Sequence, residues 1–131
     1  MQRESPVAVV GAWQDAANSQ DTDRLIELSA PDVEIVGPRG AGRGHQLLRD
    51  WLGRAGLSLE TLRVFARGDA VVVAQRGVWR SAETGQVTGE AALAASFRVE
   101  GGRVARFARY DSLDVALAEA GLSYADETSP H

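Results

Sequence analysis

The acidic side chain best placed for chemistry is Asp111, at the end of the last alternating segment of the sequence. It follows Arg109 and Tyr110 in the run that begins at Phe107. A carboxylate at a strand end can exchange a proton with a ligand. An arginine two residues earlier can hold an anion or keep the carboxylate ionised. Asp111, Arg109 and Tyr110 are therefore candidate catalytic residues.

The direction of these side chains depends on strand parity, because successive strand residues face opposite sides of a sheet. If the odd-numbered residues face inward, Arg109 and Asp111 line the interior together with Phe107. The other parity would turn inward Val104, Ala108 and Tyr110. The sequence leaves both possibilities open.

Asp111 also has a structural interpretation, as the N-cap of a terminal helix. Residues 112–120 have helical periodicity and stop before Gly121, and Asp114 follows Asp111 by three residues. Aspartate is a good N-cap because its side chain accepts a hydrogen bond from a backbone N–H of the first turn. Capping is therefore the alternative to catalysis at this position.

Large aromatic side chains are spread along the whole chain. Their first interpretation is the hydrophobic core, which aromatic residues often dominate. Their second is the wall of a ligand cavity, which is typically apolar and aromatic with few polar groups. On that interpretation the ligand-binding candidates are Trp13, Trp51, Trp79, Phe97 and Phe107.

His45 begins a helical segment after the glycine-rich run Gly40–Gly44. We include it among the ligand-binding candidates, with a surface position as the alternative. The glycine run lacks the Lys-Ser/Thr of a phosphate-binding loop and the spacing of a dinucleotide-binding loop, so a rim loop is favoured. One internal histidine and no cysteine predict no metal site, and we expect no cofactor.

Composition narrows the class of partner. The 131 residues carry a net charge of −4, which disfavours a nucleic-acid partner because phosphate binding needs clustered basic residues. No segment approaches the roughly 20 apolar residues of a membrane span, and the N-terminus does not look like a signal peptide. We expect one cytoplasmic domain over residues 1–131, with a flexible tail from residue 123 and no membrane partner.

The elements that position these residues change character halfway along the chain. Helical periodicity dominates up to residue 56, with helices predicted after Ser5, Asp21 and Gly44 and a loop over 37–44. Alternation then takes over. The predicted strands are residues 33–36, 57–67, 70–81, 87–100 and 103–110, and the terminal helix is 112–120.

This order resembles the nuclear transport factor 2-like superfamily, specifically its SnoaL-like branch. The resemblance is carried by the opening helix with Trp13 and by the segments Ala30–Val36, Gly44–Trp51, Gly102–Asp111 and Ala116–Leu122. It implies an α+β fold with a cone-shaped, strongly curved antiparallel sheet, helices covering the concave face, and often a homodimer. It implies no single function, since the superfamily contains isomerases, epoxide hydrolases, polyketide cyclases and binding proteins.

Two catalytic patterns of the superfamily fit this chain poorly. The ketosteroid isomerase pattern places Trp13 at its tyrosine donor, but Gly37 and Ala95 fall where its other two acids stand. The epoxide hydrolase pattern needs two carboxylates around an arginine. Asp111 resembles one carboxylate, whereas the neighbouring strand offers only Arg98, on the wrong parity. The polyketide cyclase pattern needs one acid, which Asp111 resembles.

The sequence therefore predicts a small-molecule-binding protein with an apolar, aromatic-lined cavity for an apolar or ring-containing ligand. The alternatives are a cofactor-independent cyclase, hydrolase or isomerase that uses Asp111, and a dimerisation module without a ligand. A homodimer is expected because the strand 70–81 is apolar on both faces and the helices can cover only one.

Overall fold

The computed structural model describes residues 5–37, 40–53, 57–81 and 83–128. The elements in these ranges are α1 (Pro6–Asn18), α2 (Thr22–Glu27), β1 (Ser29–Gly37), β2 (Gly40–Arg43), α3 (His45–Gly53), β3 (Leu57–Arg67), β4 (Ala70–Arg80), β5 (Val87–Glu100), β6 (Arg103–Tyr110), α4 (Leu113–Ala120), a 3-10 turn (Tyr124–Asp126) and β7 (Glu127–Thr128). None of the helices in these ranges is long and apolar enough to cross a membrane.

The first two helices begin where their capping residues predict. The Ser5 hydroxyl accepts a hydrogen bond from the Ala8 N–H at 3.2 Å, and proline occupies the first helical position of α1. The Asp21 carboxylate caps α2 through the Arg24 N–H at 3.2 Å. The inward stripe of α1 is buried as its spacing predicts, namely Val9, Val10, Trp13, Ala16 and Ala17.

The strands form one sheet in the order β2-β1-β6-β5-β4-β3-β7. The expected α+β class is confirmed, although β1 pairs with β6 in parallel while the other neighbours are antiparallel. The predicted loop over residues 37–44 is wrong at Gly40–Arg43, which pairs with β1 as the edge strand β2. Glycine richness hid a short hairpin at this edge.

The two faces of the sheet carry separate hydrophobic clusters. One cluster joins α1, α2 and α3 to inward residues of the strands, among them Val71 and Val73 of β4. The other joins α4 to Phe65, Val72 and Ala94. Helix α4 therefore covers the second face, and the premise that the helices cover only one face is wrong.

The expectation of a flexible tail does not hold for residues 123–128. Ser123 and Asp126 form a reciprocal capping box around the 3-10 turn. The following strand β7 pairs with β3. The Arg63 guanidinium then donates two hydrogen bonds to the Glu127 carboxylate, at 2.7 and 2.9 Å. The polar composition of the segment concealed a tail that is tied to the sheet by its backbone and one ion pair.

Candidate functional site

Strand β6 turns its odd-numbered candidates toward α1. Phe107 belongs to the cluster under α1, whereas Tyr110 packs against the cluster under α4. Arg109 pairs across the ladder with Ala95, which also belongs to the α1 cluster. Arg109 therefore shares the inner face with Phe107, and Tyr110 lies on the opposite face of the sheet.

Asp111 lies beyond the end of β6 and is exposed. The interpretation of Asp111 as the helix cap is wrong: the N-cap of α4 is Ser112, whose hydroxyl accepts from the Val115 N–H at 3.4 Å. The cap sits one residue further because Ser112 has the extended backbone that precedes a helix. Among the ion pairs of the described residues, none joins Asp111 to Arg109.

Three of the aromatic candidates meet in the core under α1. Ring centroids of Trp13 lie 5.4 Å from Phe97 and 5.1 Å from Phe107, and the two phenylalanines are 5.2 Å apart. All three side chains are almost fully buried. The Trp13 indole N–H donates to the Ser29 hydroxyl at 2.9 Å, so its one polar atom is satisfied inside the protein. These rings fill the core, and none of them lines the cavity described below.

The other two described candidates stand apart from this cluster. His45 is half-buried, and its Nε2 donates to the Ser29 carbonyl at 3.1 Å, which ties the start of α3 to β1. Trp79 is half-buried near the end of β4, beside Gly89. The Trp51 side chain lies outside the part of the chain whose side chains are described. Within the described ranges, no three His, Asp or Glu side chains lie together as a metal site requires.

A cavity of about 280 Å³ opens between α1, β3 and β4. Its walls combine aliphatic side chains with polar ones from both elements. The lining residues are Val7, Val10, Gly11, Gln14, Asp15, Asn18, Leu59, Thr61, Val64 and Val73.

A β-bulge in β3 determines which residues reach this cavity. The register with β4 shifts between Thr61 and Arg63, which leaves Leu62 as the extra residue, 53% exposed. The extra residue reverses the parity of the strand. As a result Thr61 before the bulge and Val64 after it both face the cavity.

Two buried amides form a hydrogen-bonded relay that ends at the cavity wall. Gln75 and Gln14 are 1% and 5% exposed. The Gln75 side-chain amide donates to the Gln14 Oε1, and the Gln14 Nε2 donates to the Thr61 Oγ1 at 3.1 Å. A hydroxyl that accepts such a bond can still donate its own proton. The Thr61 hydroxyl on the cavity wall therefore keeps a proton that it can donate to a group in the cavity.

A third amide, that of Asn18, also lines the cavity. The Asn18 side chain donates to the Leu59 carbonyl at 2.8 Å and accepts from the Leu59 N–H at 2.9 Å. This pair of bonds fixes the end of α1 against β3. None of these polar residues was predicted from the sequence. The available signal was Gln75, a polar residue at an inward position of the β-branched strand β4, two residues after Val73.

Half-buried arginines lie on both faces of the sheet: Arg109 shares the inner face with Phe107, whereas Arg63 lies over Phe65 on the opposite face. Three described arginines are half-buried, namely Arg63, Arg106 and Arg109. Arg63 binds Glu127, and the Arg106 Nε donates to the Glu34 carboxylate at 3.1 Å. The Nε of Arg109 is buried without a hydrogen-bond partner. The hydrogen bonds between Arg63 and Glu127 raise the pKa of Arg63 and lower the pKa of Glu127.

The chain matches the model of the SnoaL-like domain over residues 10–107. This range covers well over half of the sequence, and the chain therefore belongs to the SnoaL-like family. The resemblance drawn from the order of the elements is confirmed. No curated protein gives a significant sequence match.

Solved structures share the fold over most of its length. TerC, co-crystallised with polyporic acid, has a TM-score of 0.72 at 22% identity, covering 88% of this chain and 98% of its own. A Sinorhizobium meliloti protein proposed as a polyketide cyclase has a TM-score of 0.69 at 25% identity, with coverages of 79% and 94%. A Catenulispora acidiphila protein with a ketosteroid isomerase-like fold, in complex with trimethylamine, has a TM-score of 0.68 at 21% identity, with coverages of 88% and 93%.

Proposed function

We propose that this chain binds a small, mostly apolar molecule with one hydrogen-bond acceptor, such as a ketone oxygen, in the cavity between α1, β3 and β4. The observation that carries the proposal is the relay from Gln75 through Gln14 to Thr61, which ends in a hydroxyl on the cavity wall. Aliphatic walls would hold the body of the ligand, and the hydroxyl would fix its orientation.

Core packing alone does not call for this relay. The preceding inward residues of β4 are Val71 and Val73, both in the apolar cluster under α1. A third aliphatic residue at position 75 would complete that cluster without burying an amide, which is unfavourable unless every polar group finds a partner. The two buried amides both donate along one chain of hydrogen bonds that ends at Thr61. They are therefore better explained by the hydroxyl that they hold at the cavity wall.

The size of the cavity limits the ligand to a fragment. Pockets for drug-sized ligands span roughly 300–1,000 Å³, and this cavity measures about 280 Å³. A single ring with one carbonyl group is the class of molecule that we expect. Small molecules are present in the TerC and Catenulispora acidiphila structures, which supports small-molecule binding on this fold.

Cyclohexanone is a suitable probe, and its binding can be followed by NMR titration of wild type and two variants. Thr61→Val removes the hydroxyl donor and keeps the side-chain shape. It should weaken binding about 3- to 10-fold, which corresponds to the loss of one neutral hydrogen bond. Gly11→Leu places a side chain in the cavity and also suits a helix better than glycine. It should abolish binding while the protein stays folded.

Thr88→Val is the matched control, because Thr88 is an exposed strand threonine that does not line the cavity. It should leave cyclohexanone binding unchanged. Saturable binding that survives Gly11→Leu at full affinity would place the ligand elsewhere and overturn the proposal. The proposal would also be overturned if neither cyclohexanone nor its single-ring analogues bound saturably to wild type.

A cofactor-independent enzyme that uses Asp111 as its acid/base is the second candidate function. It is favoured by the 25% identity to a protein proposed as a polyketide cyclase and by the exposed position of Asp111 after Arg109. Turnover of polycyclic ketones or epoxides that disappears in both Asp111→Asn and Asp111→Ala would establish it. Turnover that persists in Asp111→Asn would exclude this role.

The homodimer expected from the sequence also remains a proposal, although less of the second face is left uncovered than the sequence led us to expect. Helix α4 already covers Val72, Ala94 and Phe65 on the second face. Beyond that helix the face carries Arg76 between Glu60 and Glu90. A dimer through this face would be partly polar. Light scattering at micromolar protein concentration tests it, and a monomer mass would remove it.

A further inference from the structure

We propose that Arg109 forms a binding site for a small organic carboxylate on the inner face of β6, separate from the cavity beside Thr61. The site is defined by a buried guanidinium nitrogen that has no hydrogen-bond partner. It goes beyond the proposed function, because it assigns a charged ligand to β6, whereas the cavity beside Thr61 lies between α1, β3 and β4.

The other half-buried arginines show what this fold does with such a group. Arg63 and Arg106 each hold a carboxylate, at 2.7 and 3.1 Å. A guanidinium nitrogen taken out of water without a partner costs free energy, and the usual remedy is an ion pair. Arg109 is the half-buried arginine of the described ranges that has no such pair. The chain supplies the cation at this position, and a ligand would supply the anion.

The neighbouring strands leave space next to Arg109. Its partner on β5 is Ala95, which contributes only a methyl group. On the other side, β1 pairs with β6 up to Val36 and Ala108, and Gly37 follows. No described atom lies within 4 Å of a Cβ placed on Gly37. Small residues on both sides leave room for a ligand beside Arg109 on the inner face.

The chemistry of the guanidinium favours a carboxylate. Its planar fork of N–H donors can give two parallel hydrogen bonds to one carboxylate, as Arg63 does with Glu127. Glu34 of the adjacent strand β1 is already bound by Arg106 and lies within 3.9 Å of Arg43. Asp111 is exposed and makes no ion pair with Arg109 in the described part of the chain. These observations point to an external carboxylate.

The test follows the Arg109 Nε–H signal in protein labelled with ¹⁵N-arginine. The probes are acetate and benzoate, each compared with its neutral analogue, acetamide or benzamide, at concentrations up to about 10 mM, above the dissociation constant expected of even a weak site. We expect a saturable shift of this signal with a carboxylate and at least about ten-fold weaker binding of the amide, since a charge-assisted pair is much stronger than a neutral one.

Three variants separate a site from general charge effects. Arg109→Met keeps the aliphatic stem and should abolish carboxylate binding, followed by backbone amide shifts. Arg109→Lys keeps the charge without the planar fork and should weaken binding, and it serves as the second test if the methionine variant does not fold. Arg103→Met removes an equal charge from an exposed position on the same strand and should bind like wild type.

The absence of a saturable shift with both carboxylates overturns the site. Equal binding of carboxylate and amide, or an equal loss in Arg103→Met, overturns it as well. The cavity beside Thr61 is independent of these outcomes, because its probe is neutral. The effect of Gly11→Leu on cyclohexanone binding therefore tests the cavity independently of the Arg109 site.

Discussion

Replacing Gln14 by methionine should lower the free energy of unfolding by about 1–3 kcal/mol, because it leaves a buried amide without its partner. Gln75 is 1% exposed, and its side-chain amide donates to Gln14. Methionine is close to glutamine in length and is apolar, so the change removes hydrogen bonds with little change of volume. Gln75→Met should cost a similar amount for the same reason.

The double variant is the informative one. With both amides replaced, no buried polar group of the pair is left unsatisfied, and two apolar side chains pack against each other. Such a paired replacement can be nearly neutral. We therefore expect the double variant to cost about 1 kcal/mol or less, so that the two single effects together exceed it by at least about 1 kcal/mol.

Urea denaturation of wild type, both single variants and the double variant gives this coupling directly, provided that the slope m stays constant across the set. Gln46→Met is the matched control, since Gln46 is exposed on α3 and its side-chain amide donates to Asp50. It should change stability by less than about 0.5 kcal/mol. Additive effects of Gln14→Met and Gln75→Met would refute the relay as a coupled unit.

Three further outcomes are expected. Arg63 lowers the pKa of Glu127, so the ion pair stabilises the tail above the unfolded-state pKa near 4.5, and this stabilisation is lost as pH falls through the lower folded-state pKa. Hydrogen exchange in β7 should become faster over that pH range. Glu127→Gln should remove the pH dependence, and a variant that retained it would contradict the assignment. Ser112→Ala should cost about 1 kcal/mol as the loss of an N-cap, whereas Asp111→Ala should melt like wild type, and the reverse order would contradict the assignment of the cap. Extensive chelator treatment should leave the melting temperature unchanged, and a drop would reveal a metal site.

Periodicity predicted most of the helices and strands, and the resemblance of their order to a known superfamily predicted the fold class. The apolar stripe of α1, the Ser5 and Asp21 caps and the four long strands are local features, and each is encoded within a few residues of where it acts. The position of α4 on the second face was not predictable in this way. It depends on contacts of Ala116 and Leu117 with Phe65 and Val72, more than 40 residues away in sequence.

The candidate site was harder to predict, because it depends on single-residue features of register and pairing. The bulge at Leu62 changes which residues of β3 reach the cavity, and alternation alone assigns them to the wrong face. The amide relay joins Gln14 to residues 47 and 61 positions away. Aromatic residue type alone did not indicate whether a side chain lies in the core or lines a cavity. Trp13 and Phe97 have the composition of a cavity wall, but they contact each other in the core.

The most direct measurement of ligand binding beside Thr61 is an NMR titration that follows the side-chain NH₂ signals of Gln14 and Gln75. The relay passes from Gln75 to Gln14 to Thr61, so an acceptor bound to the Thr61 hydroxyl should polarise both amides. On addition of cyclohexanone, we expect both amide signals to shift in a saturable manner with one dissociation constant, and Thr61→Val to suppress the shift. Saturable shifts elsewhere in the protein, with both glutamine amides unmoved, would contradict the proposed site.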